Sequence, residues 1–166
     1  DVRTWGETSS TASKNQNFIL NEAWAKYQFS ERFALKLGRQ ILSYDNERLI
    51  GALDWAMQGR SFDALKGIFK LTPSSKLETV ITYNNDDNDA NDLPDKEVYN
   101  ITEAGEITKS LQIIHYQYTG KNKLQFSAIA LNQVLQNPSG THYDMLTVGI
   151  NSKKYFENFG FFGSAY

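Results

Sequence analysis

Residues 35–69 read LKLGRQILSYDNERLIGALDWAMQGRSFDALKGIF, and the two ends of this stretch decide the fold class. At the first end Leu35 and Leu37 alternate with Lys36. At the second, Leu65, Gly67 and Phe69 alternate with Lys66. A period of two puts apolar side chains on one face of a strand and polar ones on the other. The residues between, 41–61, carry Asp45, Glu47, Arg48, Asp54 and Arg60, with Arg39 just before and Asp63 just after. The stretch reads as two strands joined by a long charged loop.

The same rhythm runs outward in both directions. Ile19, Ala23, Ala25, Tyr27 and Phe29 oppose Glu22, Lys26 and Gln28, with Trp24 an apolar exception on the polar side. Ser30-Glu31-Arg32 reverses the chain into Phe33, Leu35 and Leu37. A third strand covers about 63–71, and Thr72-Pro73-Ser74-Ser75 is turn chemistry. Leu77, Thr79, Ile81 and Tyr83 then alternate with Glu78, Thr82 and Asn84. Alternation returns over about 111–118, 124–132 and 144–151, and residues 159–166 form a final aromatic, glycine-rich strand. Short connections fall near 30–32, 72–75, 119–123 and 152–158, and longer ones near 8–17, 41–61, 84–109 and 133–143. The two classes alternate, as periplasmic turns and extracellular loops do in outer-membrane barrels. Soluble up-and-down barrels such as lipocalins alternate loop lengths too, with less regularity.

Composition leaves both settings open. The chain has 166 residues, a net charge of −2 and a mean hydropathy of −0.50, so a hydropathy screen reads it as soluble. No run of about 18 apolar residues exists, which excludes an ordinary transmembrane helix. A barrel strand passes that screen, because only every second residue faces lipid. The aromatic content of 13% suits barrel girdles and a soluble β-core alike. The absence of cysteine excludes disulfides and thiolate metal sites. Asp1 to Gly6 has no apolar core of a signal peptide, so an exported chain has already lost its signal or starts inside a longer one.

Four groups in the opening stretch resemble the signature of the alginate export family. They are Gly38-Arg39-Gln40, Asp45-Asn46-Glu47-Arg48-Leu49-Ile50-Gly51, Asp54-Trp55 and Gly59-Arg60-Ser61-Phe62-Asp63. The resemblance is specific over residues 21–70 and diffuse beyond them. It implies an all-β fold, an antiparallel up-and-down transmembrane β-barrel in the bacterial outer membrane. About eight strands are visible here, against about 18 in the larger barrel. Residues 1–166 then form a single transmembrane β-barrel domain that is part of a longer one, since an open sheet edge cannot persist in lipid.

The implied function is a channel for passive passage of an anionic, alginate-like oligo- or polysaccharide, or of small anionic solutes. Partners would be outer-membrane lipid, the anionic saccharide, and other outer-membrane or periplasmic proteins. No cofactor or metal is implied, and no basic aromatic patch for nucleic acid is present. By motif position Arg39, Asp45, Arg48, Asp54, Arg60 and Asp63 carry over as groups that bracket a carboxylated sugar path. The same charges can instead staple the loop to the wall, with Asp45, Glu47, Asp54 and Asp63 pairing with arginines in an ion-pair lattice.

Lys26, Lys36, Lys66 and Lys70 share the polar face of their strands. If that face is the lumen, they form a positive lining that draws anions in. Glu22 and Glu78 share the face, so a solvated surface of mixed charge fits as well. Trp24 on this face either stacks a sugar ring or fills space. Tyr27, Phe29, Phe33, Tyr116 and Tyr118 lie close to the short turns, where a periplasmic-side girdle belongs. The acidic run 86–92 is oxygen-rich enough to attract divalent cations but lacks EF-hand spacing.

Enzymatic readings find little support. His115 and His142 are the only histidines and lack metal-ligand spacing, and no nucleophile elbow surrounds any serine. Asp45 with Glu47, or Asp54 with Asp63, has no more than the composition of a glycosidase pair. Besides the channel, the pattern fits an accessory barrel of an outer-membrane complex with its lumen plugged by the 41–61 loop. It also fits a soluble barrel that holds a ligand in its cup.

Overall fold

The computed structural model describes residues 2–4, 18–52, 60–83, 107–120, 124–137, 140–156 and 160–166. Two short strands, β1 (Val2–Thr4) and β2 (Phe18–Leu20), pair antiparallel with each other. Eight more follow: β3 (Ala23–Ser30), β4 (Phe33–Gln40), β5 (Phe62–Thr72), β6 (Ser75–Tyr83), β7 (Ile107–Thr119), β8 (Leu124–Gln136), β9 (His142–Tyr155) and β10 (Gly160–Ala165). They form one sheet in sequence order, each antiparallel to the next, with β3 and β10 at its edges among the described residues. No helix occurs among those residues, and none is long and apolar enough to cross a membrane. The all-β, antiparallel up-and-down architecture expected from the alternation is the one observed.

Period two sets the two faces. Register places Leu37 against Leu65, Leu65 against Ile81 and Phe33 against Phe69. Farther along the sheet, Ala130 faces Val148 and Ala128 faces Ile150. These residues build one broad apolar face, and its large side chains stand exposed, Leu146 at 70% and Tyr27 at 66%. At the short-turn end of this face, Tyr27, Phe29, Phe33 and Phe69 form a continuous aromatic ladder with centroid spacings of 4.7, 5.3 and 4.8 Å. An exposed apolar surface this extensive exceeds what a monomeric soluble protein ordinarily leaves in water.

The opposite face, here the inner face, carries the 41–52 loop. Leu42, Tyr44 and Ile50 from the loop are buried against Phe62 and Ala64 of β5 and Val80 of β6, and against Leu111, Ile113, Ile129 and Leu131 of β7 and β8. The inner face therefore has two zones. The part toward the long-loop end is apolar and covered. The part toward the short turns is polar and charged.

Two boundaries differ from the sequence reading. β8 runs on to Gln136 and β9 starts at His142, so the expected long connection at 133–143 is a tight reversal. The Asn137 amide donates to the Thr141 carbonyl at 3.0 Å and the Gly140 amide to the Asn137 carbonyl at 2.9 Å. The ladder extends because Gln133, Val134, Leu135 and Gln136 keep their partners Met145, Asp144, Tyr143 and His142. Loop lengths consequently do not alternate at this position. The acidic run 86–92, Trp5, Asp54 and Trp55 lie outside the described residues.

Candidate functional site

Gly38 shows why the Gly-Arg-Gln group takes its form. Its φ is +117°, and a Cβ there would collide with the Ala23 carbonyl oxygen of the neighbouring strand. Only glycine accepts both conditions, so β3 and β4 approach closely at this point. Gln40, fully buried, then donates its side-chain amide to the Ala64 carbonyl at 2.9 Å and the Gly38 carbonyl at 3.2 Å. The end of β4 is locked before the loop begins.

The loop tip reaches across the sheet. Asp45 has φ +55° and Glu47 φ +60°, left-handed conformations that aspartate tolerates better than most residues. Asp45 stands at the tip with its carboxylate turned to the wall, the side chain 10% exposed. Three strands supply donors to it. His115 Nε2 on β7 lies 3.0 Å from Oδ1, Ser127 Oγ on β8 donates to the same oxygen at 2.5 Å, and Asn151 Nδ2 on β9 donates to Oδ2 at 3.0 Å. Next to it, the Asn46 Oδ1 accepts from the Tyr166 hydroxyl at 2.6 Å, and the Asn46 amide meets Ser164 Oγ at 3.4 Å. Tyr166 fits because Gly149 has no Cβ where its ring lies. The Tyr44 ring packs against His115 at 4.7 Å. Burial first, then the nearby Glu78 carboxylate, push its phenol above the usual tyrosine range, so it stays neutral.

The lysines expected to share a face do so. Register puts Lys26 opposite Lys36, Lys36 opposite Lys66 and Lys70 opposite Lys76, all on the inner face. Like charges directly opposite one another are destabilising, so each needs an offset. Glu78, with its side chain 8% exposed, pairs with Lys66 at 2.6 Å and Lys76 at 2.9 Å. Lys36 places its ammonium 3.9 Å from the centroid of Trp24. A cavity of about 580 Å³ lies beside the loop tip, lined by Lys66, Lys76, Lys153, Gln117 and Gln125 together with the Asp45 cluster; Lys26, Lys36, Lys70 and Trp24 are not part of its lining.

The arginines sit elsewhere. Arg39 lies on the apolar face, two positions from Leu37, and holds Asp63 in a two-pronged pair at 3.1 and 2.7 Å. Strand parity puts it there, on the side opposite the lysines. Asp63 is 57% exposed. Arg48 is exposed, and its backbone amide donates to Asn46 Oδ1 at 3.2 Å. Arg60 is half-buried at the loop exit, its amide donating to the Ala52 carbonyl at 2.8 Å, and burial draws its guanidinium pKa down from the ordinary value. Glu47 accepts from Ser43 Oγ at 2.6 Å. Asp45 and Glu47 thus take hydroxyl, amide and imidazole donors, not the arginines that an ion-pair lattice requires.

Sequence reasoning missed His115, Ser127 and Asn151 as partners of Asp45, and Lys76 and Lys153 as lining residues. Lys76 could have been found, because it shares its parity with Lys66 and Glu78. The three partners lie 70 to 106 positions from Asp45, beyond any local pattern. Among the described residues no group of three His, Asp or Glu side chains could hold a metal ion.

Comparison with curated proteins and with solved structures finds no match. The sequence profile of the alginate export family matches residues 1–133 of the 166. That span contains the Gly-Arg-Gln strand end, the Asp45 loop and the lysine-bearing strands, and on this match the chain belongs to the alginate export family.

Proposed function

We propose that this chain forms part of the wall of an outer-membrane channel through which an anionic, alginate-like oligo- or polysaccharide passes passively. The observation that carries the reading is the in-register row Lys26, Lys36 and Lys66 on the inner face, backed by an opposite face that is apolar throughout its middle. The apolar face meets lipid, and its aromatic ladder sits at the periplasmic interface. In lipid the edges at β3 and β10, open among the described residues, would need partner strands, because unpaired backbone groups have no partners there.

The row keeps positive charge where a passing carboxylate needs it, and Glu78 limits how strongly it holds. A path of several weak sites suits transport better than one tight site. Arg39 lies outside this path, and Arg48 and Arg60 belong to the loop and its exit. The reaction is transfer across a membrane, with no bond made or broken.

The direct test is reversal potential in a salt gradient across a planar bilayer, comparing the native full-length protein with Lys26→Glu/Lys36→Glu. These two lysines are chosen because Lys66 is held by Glu78. The native channel favours anions, and the double variant moves toward cations. A native channel without anion preference, or a variant with the native reversal potential, removes the lysine row from the account.

A second reading has its own support. The loop's Leu42, Tyr44 and Ile50 are buried on the wall, and its tip is tied to β7, β8 and β9. A barrel closed by such a loop serves as an accessory subunit of an outer-membrane complex. A sealed bilayer with correctly folded protein favours that reading.

A further inference from the structure

We infer that Trp24, with Lys36 and Lys26, forms a stacking subsite in which the indole, and not charge alone, holds the acidic sugar ring. The inference rests on the channel reading above and assigns a specificity-determining residue on the same face. Trp24 points to the inner face, opposite Gly38, while the apolar residues of β3 point the other way. The residue is 48% exposed on β3, an edge strand exposed along its whole length, so its inward direction rather than its exposure sets it apart. Tryptophan is costly to leave in water and is normally placed in a core or at a membrane interface. Here it sits on the inner face of the edge strand, beside Lys36 and Lys26, instead.

Its surroundings explain the placement chemically. The Lys36 ammonium lies 3.9 Å from the ring centroid, a cation–π contact that fixes the ammonium and leaves the remaining indole surface exposed. Lys26 stands directly across from Lys36. A pyranose offers an apolar face of C–H groups and, in a uronate, one carboxylate at its edge. The indole takes the face and the two ammonium groups take the carboxylate. Chloride or phosphate can use the lysines but not the indole, and a neutral sugar can use the indole but not the lysines. The pairing of the two is what distinguishes an acidic saccharide from either.

The test uses the full-length channel in a planar bilayer, probed with a trimer of mannuronate, a neutral trisaccharide of similar size, and chloride. Trp24→Leu is compared with Trp24→Tyr, which retains an aromatic face. Expected is a loss of trimer-blocking affinity in Trp24→Leu that exceeds any change in chloride permeability by about tenfold. Trp24→Tyr recovers most of it. Native block by the neutral sugar is at least about tenfold weaker than by the uronate. Equal block in native and Trp24→Leu channels overturns the subsite, and so does a parallel loss for chloride, which means the indole only shapes the wall. Should Trp24→Leu fail to insert, Trp24→Thr, a strand former, decides: loss of trimer block with native chloride permeability supports the subsite, and native block overturns it. Block indistinguishable between uronate and neutral sugar in the native channel overturns it outright. Failure of the native channel to pass anions at all is a different result, and it removes the underlying channel reading.

Discussion

Asp45→Asn separates the Asp45 latch from the rest of the loop packing. Asparagine has nearly the same volume and also tolerates the φ of +55°, so the backbone is not the variable. The chemistry is. A hydrogen bond to a charged group contributes about 1.5–3 kcal/mol and one between neutral groups about 0.5–1.5 kcal/mol. The variant keeps one carbonyl oxygen for His115 and Ser127, so those two contacts lose about 1 kcal/mol each. Its new NH₂ group faces the Asn151 amide, donor against donor, which costs about 1 kcal/mol more. The sum is about 3 kcal/mol, which is about 150-fold in the opening equilibrium of the loop tip. Hydrogen exchange of the full-length protein in detergent reads this directly. The Tyr44 amide donates to the Ile50 carbonyl at 3.3 Å and the Glu47 amide to the Tyr44 carbonyl at 2.9 Å, so both report on loop closure. Peptides covering residues 41–52 should exchange about 150-fold faster, with peptides from β7 and β8 unchanged. A change under about threefold means the apolar anchors Leu42, Tyr44 and Ile50 hold the loop alone, and the latch reasoning fails. Uniform acceleration everywhere refutes it too, because the lesion is then global.

Two further outcomes follow from the same geometry. Glu78→Gln leaves Lys66 and Lys76 without their shared carboxylate, so stability should fall by about 3 kcal/mol while anion preference rises; denaturant unfolding in micelles and reversal potential measure the two. Gly38→Ala places a methyl group against the Ala23 carbonyl at a φ that alanine resists, and should lower the midpoint of heat-modified gel mobility by an amount corresponding to about 2 kcal/mol or more. A Gly38→Ala protein with native stability would show that β3 and β4 can separate there without cost.

The strand system was legible because each strand is written in the shortest of patterns. Leu35, Lys36 and Leu37 already name the two faces, and the shared parity of Lys26, Lys36, Lys66 and Lys70 is realised as one face of the sheet. The same parity, applied strictly, also places Arg39 with Leu37 on the apolar side, away from the lysines. The family signature drew attention to Arg39 as a charge, while its strand position decides where that charge goes. The β8–β9 reversal was hidden because Gln133, Gln136 and His142 are polar residues at strand ends, where composition resembles a loop. The Asp45 cluster was illegible for a different reason. Its donors come from three strands that meet only when the loop folds back across the sheet, and no spacing in the sequence encodes that meeting. The loop's apolar residues Leu42, Tyr44 and Ile50 were the available hint that it packs against the wall.

The most direct test of the central claim is single-channel recording of the intact native protein in a planar bilayer, with and without alginate oligomers. The account predicts a stable, anion-preferring current that the oligomers block in a concentration-dependent way. A folded, inserted barrel that carries no current, or a current indifferent to the oligomers, contradicts it.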